Sequence, residues 1–153
     1  MIRGMSFEIK KRGNRILKEI FENINVLKYC WYSIEEQREA WCFVDSREKE
    51  FLENEYYQGQ DFLEAIRKDH YIVFLKLEAY LEETNCYDIH SYEEFQNSKC
   101  KILLLIYDCN FVEIFAQDEK VIRKFYENAR KKKFGEIEFI TDTNDKRTIL
   151  DVL

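Results

Sequence analysis

Two places in the sequence set thiol, acid and base chemistry close together. In KILLLIYDCNFVEIFAQDEK, residues 101 to 120, an apolar run meets Asp108-Cys109-Asn110 and then turns apolar again. In ETNCYDIHSYEE, Cys86 is followed four residues later by His90, a nucleophile with a possible base. A catalytic thiol needs a group that lowers its pKa, such as a histidine, a lysine or a helix N-terminus, and the sequence sets none beside Cys109. Asp and Asn tolerate turn conformations, and branched and aromatic residues flank the cluster, so Asp108-Cys109-Asn110 is expected to be the bend of a hairpin. No periodicity around Cys86 and His90 would bring their side chains together, so His90 is read as a polar loop residue. His70 ends the stretch DFLEAIRKDH, where a cation near the last helical carbonyls is favourable.

Metal and cofactor chemistry finds little to stand on. The five cysteines, Cys30, Cys42, Cys86, Cys100 and Cys109, are odd in number and form no CxxC pair, which suits free thiols better than zinc or a disulfide framework. TDTND, residues 141 to 145, lacks the glycine and the distant glutamate of a calcium loop, so Asp142 and Asp145 are expected in a turn. Four glycines leave little scope for a phosphate-cradling or dinucleotide loop. The pairs Glu35/Glu36, Glu82/Glu83 and Glu93/Glu94 are adjacent and point in different directions in helix or strand. No catalytic, cofactor or metal residue is assigned.

Charge is more informative. Residues 1–28 carry a net +4, residues 29–100 a net −10 and residues 101–153 none, for −6 overall. An acidic middle repels a phosphate backbone and attracts a basic protein. Within it EFLENEYYQGQ mixes Glu50, Glu53 and Glu55 with Tyr56 and Tyr57, and tyrosine offers broad contact with a polar tip. These five residues are the candidate partner-binding set; the competing reading is an acidic loop whose tyrosines pack on the core. RKKKFG, residues 130 to 135, places lysines where a helix C-terminus favours them, with no need of nucleic acid.

The elements that would carry these residues follow from periodicity. GMSFEIK alternates as a strand, and NRILKEIFENI sets Ile16, Leu17, Ile20, Phe21 and Ile24 on one helical face with Asn14 as cap. YCWYSI and AWCFVD are expected to pair as a hairpin across EEQRE, followed by the acidic connector SREKEFLENEYYQGQ. DFLEAIRKDH reads as a helix with Asp61 and Glu64 at capping-box spacing, YIVFLKLEAYL as a strand, and SYEEFQNS as a short helix capped by Ser91. CKILLLIYD lacks polar alternation and suits a central strand covered on both faces, partnered by NFVEIFA. After Asp118 a helix carries Val121, Ile122, Phe125, Tyr126 and Ala129 on one stripe, runs into Lys131–Lys133 and meets Gly135. EIEFIT is a final strand, and DTNDKRTILDVL begins with a turn and ends in a short strand or helical turn. Laid without gaps, residues 7–24 echo residues 112–129 in apolar phase, as any two amphipathic helices can.

The expected architecture is α+β: a single domain over residues 1–153, with a mixed or mainly antiparallel sheet containing hairpins, covered by three amphipathic helices and one short helix. With 46% hydrophobic and 16% aromatic residues the chain can build its own core. The longest aliphatic run, Ile102 to Ile106, is too short to span a membrane, and MIRGMSFEIKKRG has no signal-peptide character, so a cytoplasmic location is expected.

RGMSFEI, YCWYS and FGEIEFITDTNDKRT together resemble a small uncharacterised family of a domain of unknown function from spore-forming, bacillus-type Gram-positive bacteria. The resemblance spans nearly the whole chain and implies a bacterial, single-domain, cytoplasmic protein; it implies no catalytic residues. The leading functional expectation is a non-enzymatic module that binds a basic protein, immunity- or regulator-like by analogy of size and charge. The alternative is a small enzyme with a pocket assembled from sequence-distant Cys86, His90, Asp108 or Asp142.

Overall fold

The computed structural model describes every residue of the chain except 87, 146 and 148. Among the described residues nine strands form one antiparallel sheet: β1 (Ile2–Glu8), β2 (Cys30–Tyr32), β3 (Arg38–Val44), β4 (Arg47–Glu50), β5 (Tyr56–Tyr57), β6 (His70–Tyr80), β7 (Ile102–Tyr107), β8 (Phe111–Ala116) and β9 (Gly135–Thr141). Four α-helices among the described residues accompany them: α1 (Ile16–Ile20), α2 (Gly59–Ile66), α3 (Tyr92–Asn97) and α4 (Glu119–Lys131). The spatial order is β4-β3-β6-β7-β8-β1-β9, with β2 also on β6 and β5 on β2. The α+β expectation holds. Among the described residues no helix is long and apolar enough to cross a membrane.

Strand β7 is the centre of the sheet and behaves as its unbroken apolar run demands. Ile102, Leu104 and Ile106 face a core shared with α1, α2 and α4, while Leu103 and Leu105 face a second core beneath α3 and the C-terminal segment. Burying five aliphatic side chains stabilises this strand by roughly 1.5–3 kcal/mol each before ordering costs are counted. Residues 108–110 join β7 to β8 as a three-residue bend, with Asp108 and Cys109 at positive φ (49° and 67°). The hairpin reading of Asp108-Cys109-Asn110 is correct.

Helix α4 is likewise as expected at its start, where the Asp118 side chain accepts from Lys120 N at 2.9 Å. At its end, the left-handed residue is Lys133 (φ 59°), not Gly135, which already belongs to β9. Helix α3 is capped by Ser91, whose Oγ accepts from Glu94 N at 3.1 Å. Strands β1 and β8 pair side by side, each followed by a helix, so the two echoing segments are neighbours, though α1 stops after Ile20.

Three local expectations fail for long-range reasons. The stretches around Trp31 and Trp41 do not pair with each other. Both run antiparallel to β6, β2 against Glu78–Tyr80 and β3 against residues 70–75, as two halves of one interrupted strand. The eleven residues of β6 are long enough to template both. The acidic connector is also not a loop, because β4 folds back on β3 across Asp45 and Ser46 (φ 51° and 65°), and β5 pairs with β2. Helix capping is the third case. Neither Asn14 nor Asp61 caps a helix through its side chain: α1 begins after Arg15 and α2 after Gln58. The Asn14 carbonyl instead accepts from His70 N at 2.8 Å, and α2 can start at Gly59 because a Cβ there would lie 2.7 Å from Leu27 Cα.

In the C-terminal segment a turn covers residues 142–144, and the described residues of 149–153 adopt no regular element. The expected terminal strand or helical turn falls partly on 146 and 148, outside the described residues.

Candidate functional site

The five candidate partner-binding residues lie on the rim where β4 and β5 are the outermost strands. Because β5 alternates, its two tyrosines part: Tyr57 packs against the helix-side core and Tyr56 against the second core. The Tyr56 ring sits 5.2 Å from that of Tyr32, and its hydroxyl donates to Cys30 Sγ at 3.7 Å. That hydrogen bond and partial burial push the Tyr56 phenol up to about 12. Tyr57 Oη accepts from Asn54 N at 3.0 Å. Half-buried, both rings fit the competing reading of tyrosines anchored on the core.

The carboxylates differ as well. Glu50 meets the buried Arg38 guanidinium at 2.6 Å, which holds it inward. Glu53 makes an exposed ion pair with Lys49 at 3.1 Å, and such pairs are weak in water. Glu55 is exposed, and its carbonyl accepts from Ser33 N. Glu53 and Glu55 are therefore the members of the set that present charge to solvent, joined by exposed Glu48 on β4.

A second constellation, of which the sequence offered only His90, gathers where β2 and β3 are interrupted. Between the residues of β6 that pair with β2 and those that pair with β3 lie Lys76 and Leu77. Lys76 is 1% exposed and points to the second core. Its ammonium donates to the carbonyl of Ile89 and to Asp151 Oδ1 (2.8 Å), with Asp88 Oδ1 3.6 Å away. His90 Nδ1 lies 3.0 Å from Asp151, and Nε2 lies 3.2 Å from Asp88. The Asp151 hydrogen bond raises the His90 pKa. At Asp151 burial acts upward, but the hydrogen bonds from Lys76 and His90 prevail and lower its pKa. Gln37, in the interruption itself, accepts from Val152 N (2.7 Å) and Leu153 N (3.2 Å), and donates to the Leu153 carbonyl (3.1 Å). The C-terminal backbone thus reaches the break between β2 and β3 and pairs there with Gln37.

Asp88, His90 and Asp151 have ligand atoms within 4.8 Å of one another, close enough to hold a metal ion. The Lys76 ammonium, however, already supplies the positive charge at this spot, and a dication would have to share the carboxylates with it. The donor set fits an internal ion-pair network better than a metal centre.

The residues of the enzyme alternative are not assembled for catalysis. Burial pushes the Cys86 thiol up to about 12, with nearby Glu78 acting in the same direction, so it is no ready nucleophile. His90 is engaged by two aspartates. Asp108 stands at the β7–β8 bend. Asp142, in the turn after β9, accepts from Arg3 Nε at 3.0 Å, and Asp145, just past that turn, accepts from Arg3 Nη1 at the same distance. The clefts of about 360 and 450 Å³ on the surface are lined by none of the four. His70 is also not the expected helix-end cation. It opens β6, is 3% exposed, and stacks on Phe51 at 4.4 Å; burial lowers its pKa.

The chain matches, over residues 2–151, the family described as Protein of unknown function (DUF2691). It is 31% identical over 156 residues to the Uncharacterized protein YncE of Bacillus subtilis (strain 168), covering 99% of this chain and 100% of that protein. No solved structure gives a significant match. The chain belongs to the DUF2691 family, in agreement with the bacillus-type resemblance of its sequence.

Proposed function

We propose that this DUF2691 protein is a non-enzymatic binding module, acting in the cytoplasm, that takes a basic protein partner along the rim formed by residues 47–57. The observation that carries the reading is the coincidence of open strand edges with solvent-facing carboxylates: β4 and β5 are outermost, Glu48 is exposed on β4, and Glu53 and Glu55 are exposed on the link between the two strands. An edge strand offers unpaired N–H and C=O groups to an added strand, and lysines or arginines on that strand would meet the acids. Tyr56 and Tyr57, anchored on the two cores, supply a rigid base for the rim. Five free thiols suit a reducing compartment.

The test is fluorescence anisotropy with a labelled hexapeptide of alternating lysine and valine. Binding should weaken with salt and fall about five- to tenfold in a Glu53→Gln/Glu55→Gln variant, as expected for two exposed charge contacts. Equal affinity of the variant, or no binding at millimolar peptide, would overturn the reading.

A further inference from the structure

The second face of the sheet is covered over only half its extent. Ile89, Phe95 and Leu150 close it above Leu103 and Phe115, but toward the β7–β8 bend the face of β8, β1 and β9 is, among the described residues, covered only in part, with Arg147 over Tyr107 and Glu113. Its floor follows from register. Ser6 stands opposite Glu113 on one side and Glu138 on the other, so a small side chain separates two long acidic ones. One step along, Phe111 stands opposite both Tyr107 and Glu8. Two adjoining clefts of about 360 and 230 Å³ share Ser6, Tyr107 and Glu138 and merge into one groove.

The groove is acidic, although three of its five carboxylates have a cationic partner: Lys10 on Glu8, Arg147 on Glu113 and Arg3 on Asp145. Its described lining carries Glu8, Glu113, Glu136, Glu138 and Asp145 against the single cation Arg147. Arg147 is already held by Glu113 (Nε to Oε2, 2.7 Å) and lies 4.9 Å from the Tyr107 ring centroid. Lys10 engages Glu8 at 2.9 Å. Glu136 and Glu138 make no ion pair among the described residues and are exposed. Beside them Phe111, 40% exposed, stacks on Tyr107 with ring centroids 5.5 Å apart. Arg147 over Tyr107 shows how this wall receives a guanidinium: flat on the ring, with a carboxylate at its edge.

We infer that this half-face is a docking groove for an arginine-bearing segment of a partner protein, a guanidinium entering beside Ser6 onto the carboxylates of Glu136 and Glu138 and against Phe111, next to the place that Arg147 fills on Glu113 and Tyr107. Charge complementarity commits the occupant to a basic peptide, and the aromatic wall favours arginine over lysine. The groove lies on the opposite side of the sheet order from the 47–57 rim and does not depend on it.

The test is titration of the full-length, isotope-labelled protein with an acetylated, amidated Gly-Arg-Gly-Arg-Gly peptide, read by amide shifts, with a citrulline-for-arginine peptide as control. Shifts should centre on Ser6, Phe111, Glu136 and Glu138. Affinity should fall about fivefold or more in a Glu136→Gln/Glu138→Gln variant of unchanged thermal stability, while Glu53→Gln/Glu55→Gln leaves these shifts intact. The citrulline peptide should not bind. Equal binding of citrulline, unchanged affinity in the groove variant, or shifts confined to residues 47–57 would each overturn the inference. The last result would leave the rim reading standing, so the two can fail separately.

Discussion

The Nε2 of His70 lies 3.2 Å from the backbone nitrogen of Leu17, in the first turn of α1. Nδ1 faces the Lys68 carbonyl at 2.7 Å, and a carbonyl can only accept, so Nδ1 carries the proton and Nε2 accepts from Leu17. A strand residue 53 positions away thereby caps the helix that Asn14 was expected to cap. At the other end, Asn128 Nδ2 donates to the carbonyls of Glu19 (2.7 Å) and Ile20 (3.0 Å). A five-residue helix is too short to stand alone, and α1 is held by these two borrowed caps.

Substituting His70→Ala should therefore cost about 2–4 kcal/mol, combining an unsatisfied buried N–H with a cavity against Phe51. Asn128→Ala should cost about 1–3 kcal/mol. Urea denaturation measures both; losses below about 0.5 kcal/mol would show that α1 needs neither cap.

The two histidines should titrate in opposite directions from the ordinary value of 6.5. His70, lowered by burial, stabilises the fold above pH 6.5, and its contribution is lost as pH falls through its folded pKa. His90, raised by its hydrogen bond to Asp151, contributes below pH 6.5, and that contribution is lost as pH rises through its folded pKa. Imidazole proton shifts followed by NMR separate them; the reverse order would contradict both environments.

Lys76→Met should release the C-terminal segment. The buried ammonium is the shared partner of Ile89, Asp151 and Asp88, and its removal leaves two carboxylates facing each other. A loss of roughly 2–4 kcal/mol is expected, less than for a fully buried pair because Asp151 retains some solvent. Amide exchange at Leu150 should accelerate, since Leu150 N donates to the His90 carbonyl at 2.8 Å. Adding Asp151→Asn should recover part of the stability; if Lys76→Met alone leaves exchange at Leu150 unaltered, the network does not hold the segment.

Gly4→Ala should be the most damaging small change. Its Cβ would lie 2.1 Å from the Ile114 carbonyl oxygen in the paired strand, where only backbone movement could relieve it. A loss of about 4 kcal/mol or more, or failure to fold, is expected in thermal denaturation. A variant as stable as the parent would mean that β1 and β8 are not so closely paired.

Where the deciding interaction is local, the sequence determined the outcome. The bend at Asp108-Cys109-Asn110, the two-faced burial of β7, the Ser91 cap and the stripe on α4 depend on neighbours within a few residues, and all could be read in advance. Charge composition also located the acidic middle of the chain, but not which carboxylates are free. Tertiary structure decided that, by bringing Arg38 to Glu50 while leaving Glu53 and Glu55 exposed to solvent. It likewise split β2 from β3 along β6, drew His70 into the core as a cap, and set Lys76 under the C-terminal segment. Each of these is a pairing between residues distant in sequence, whose energy depends on burial and register that no local pattern encodes.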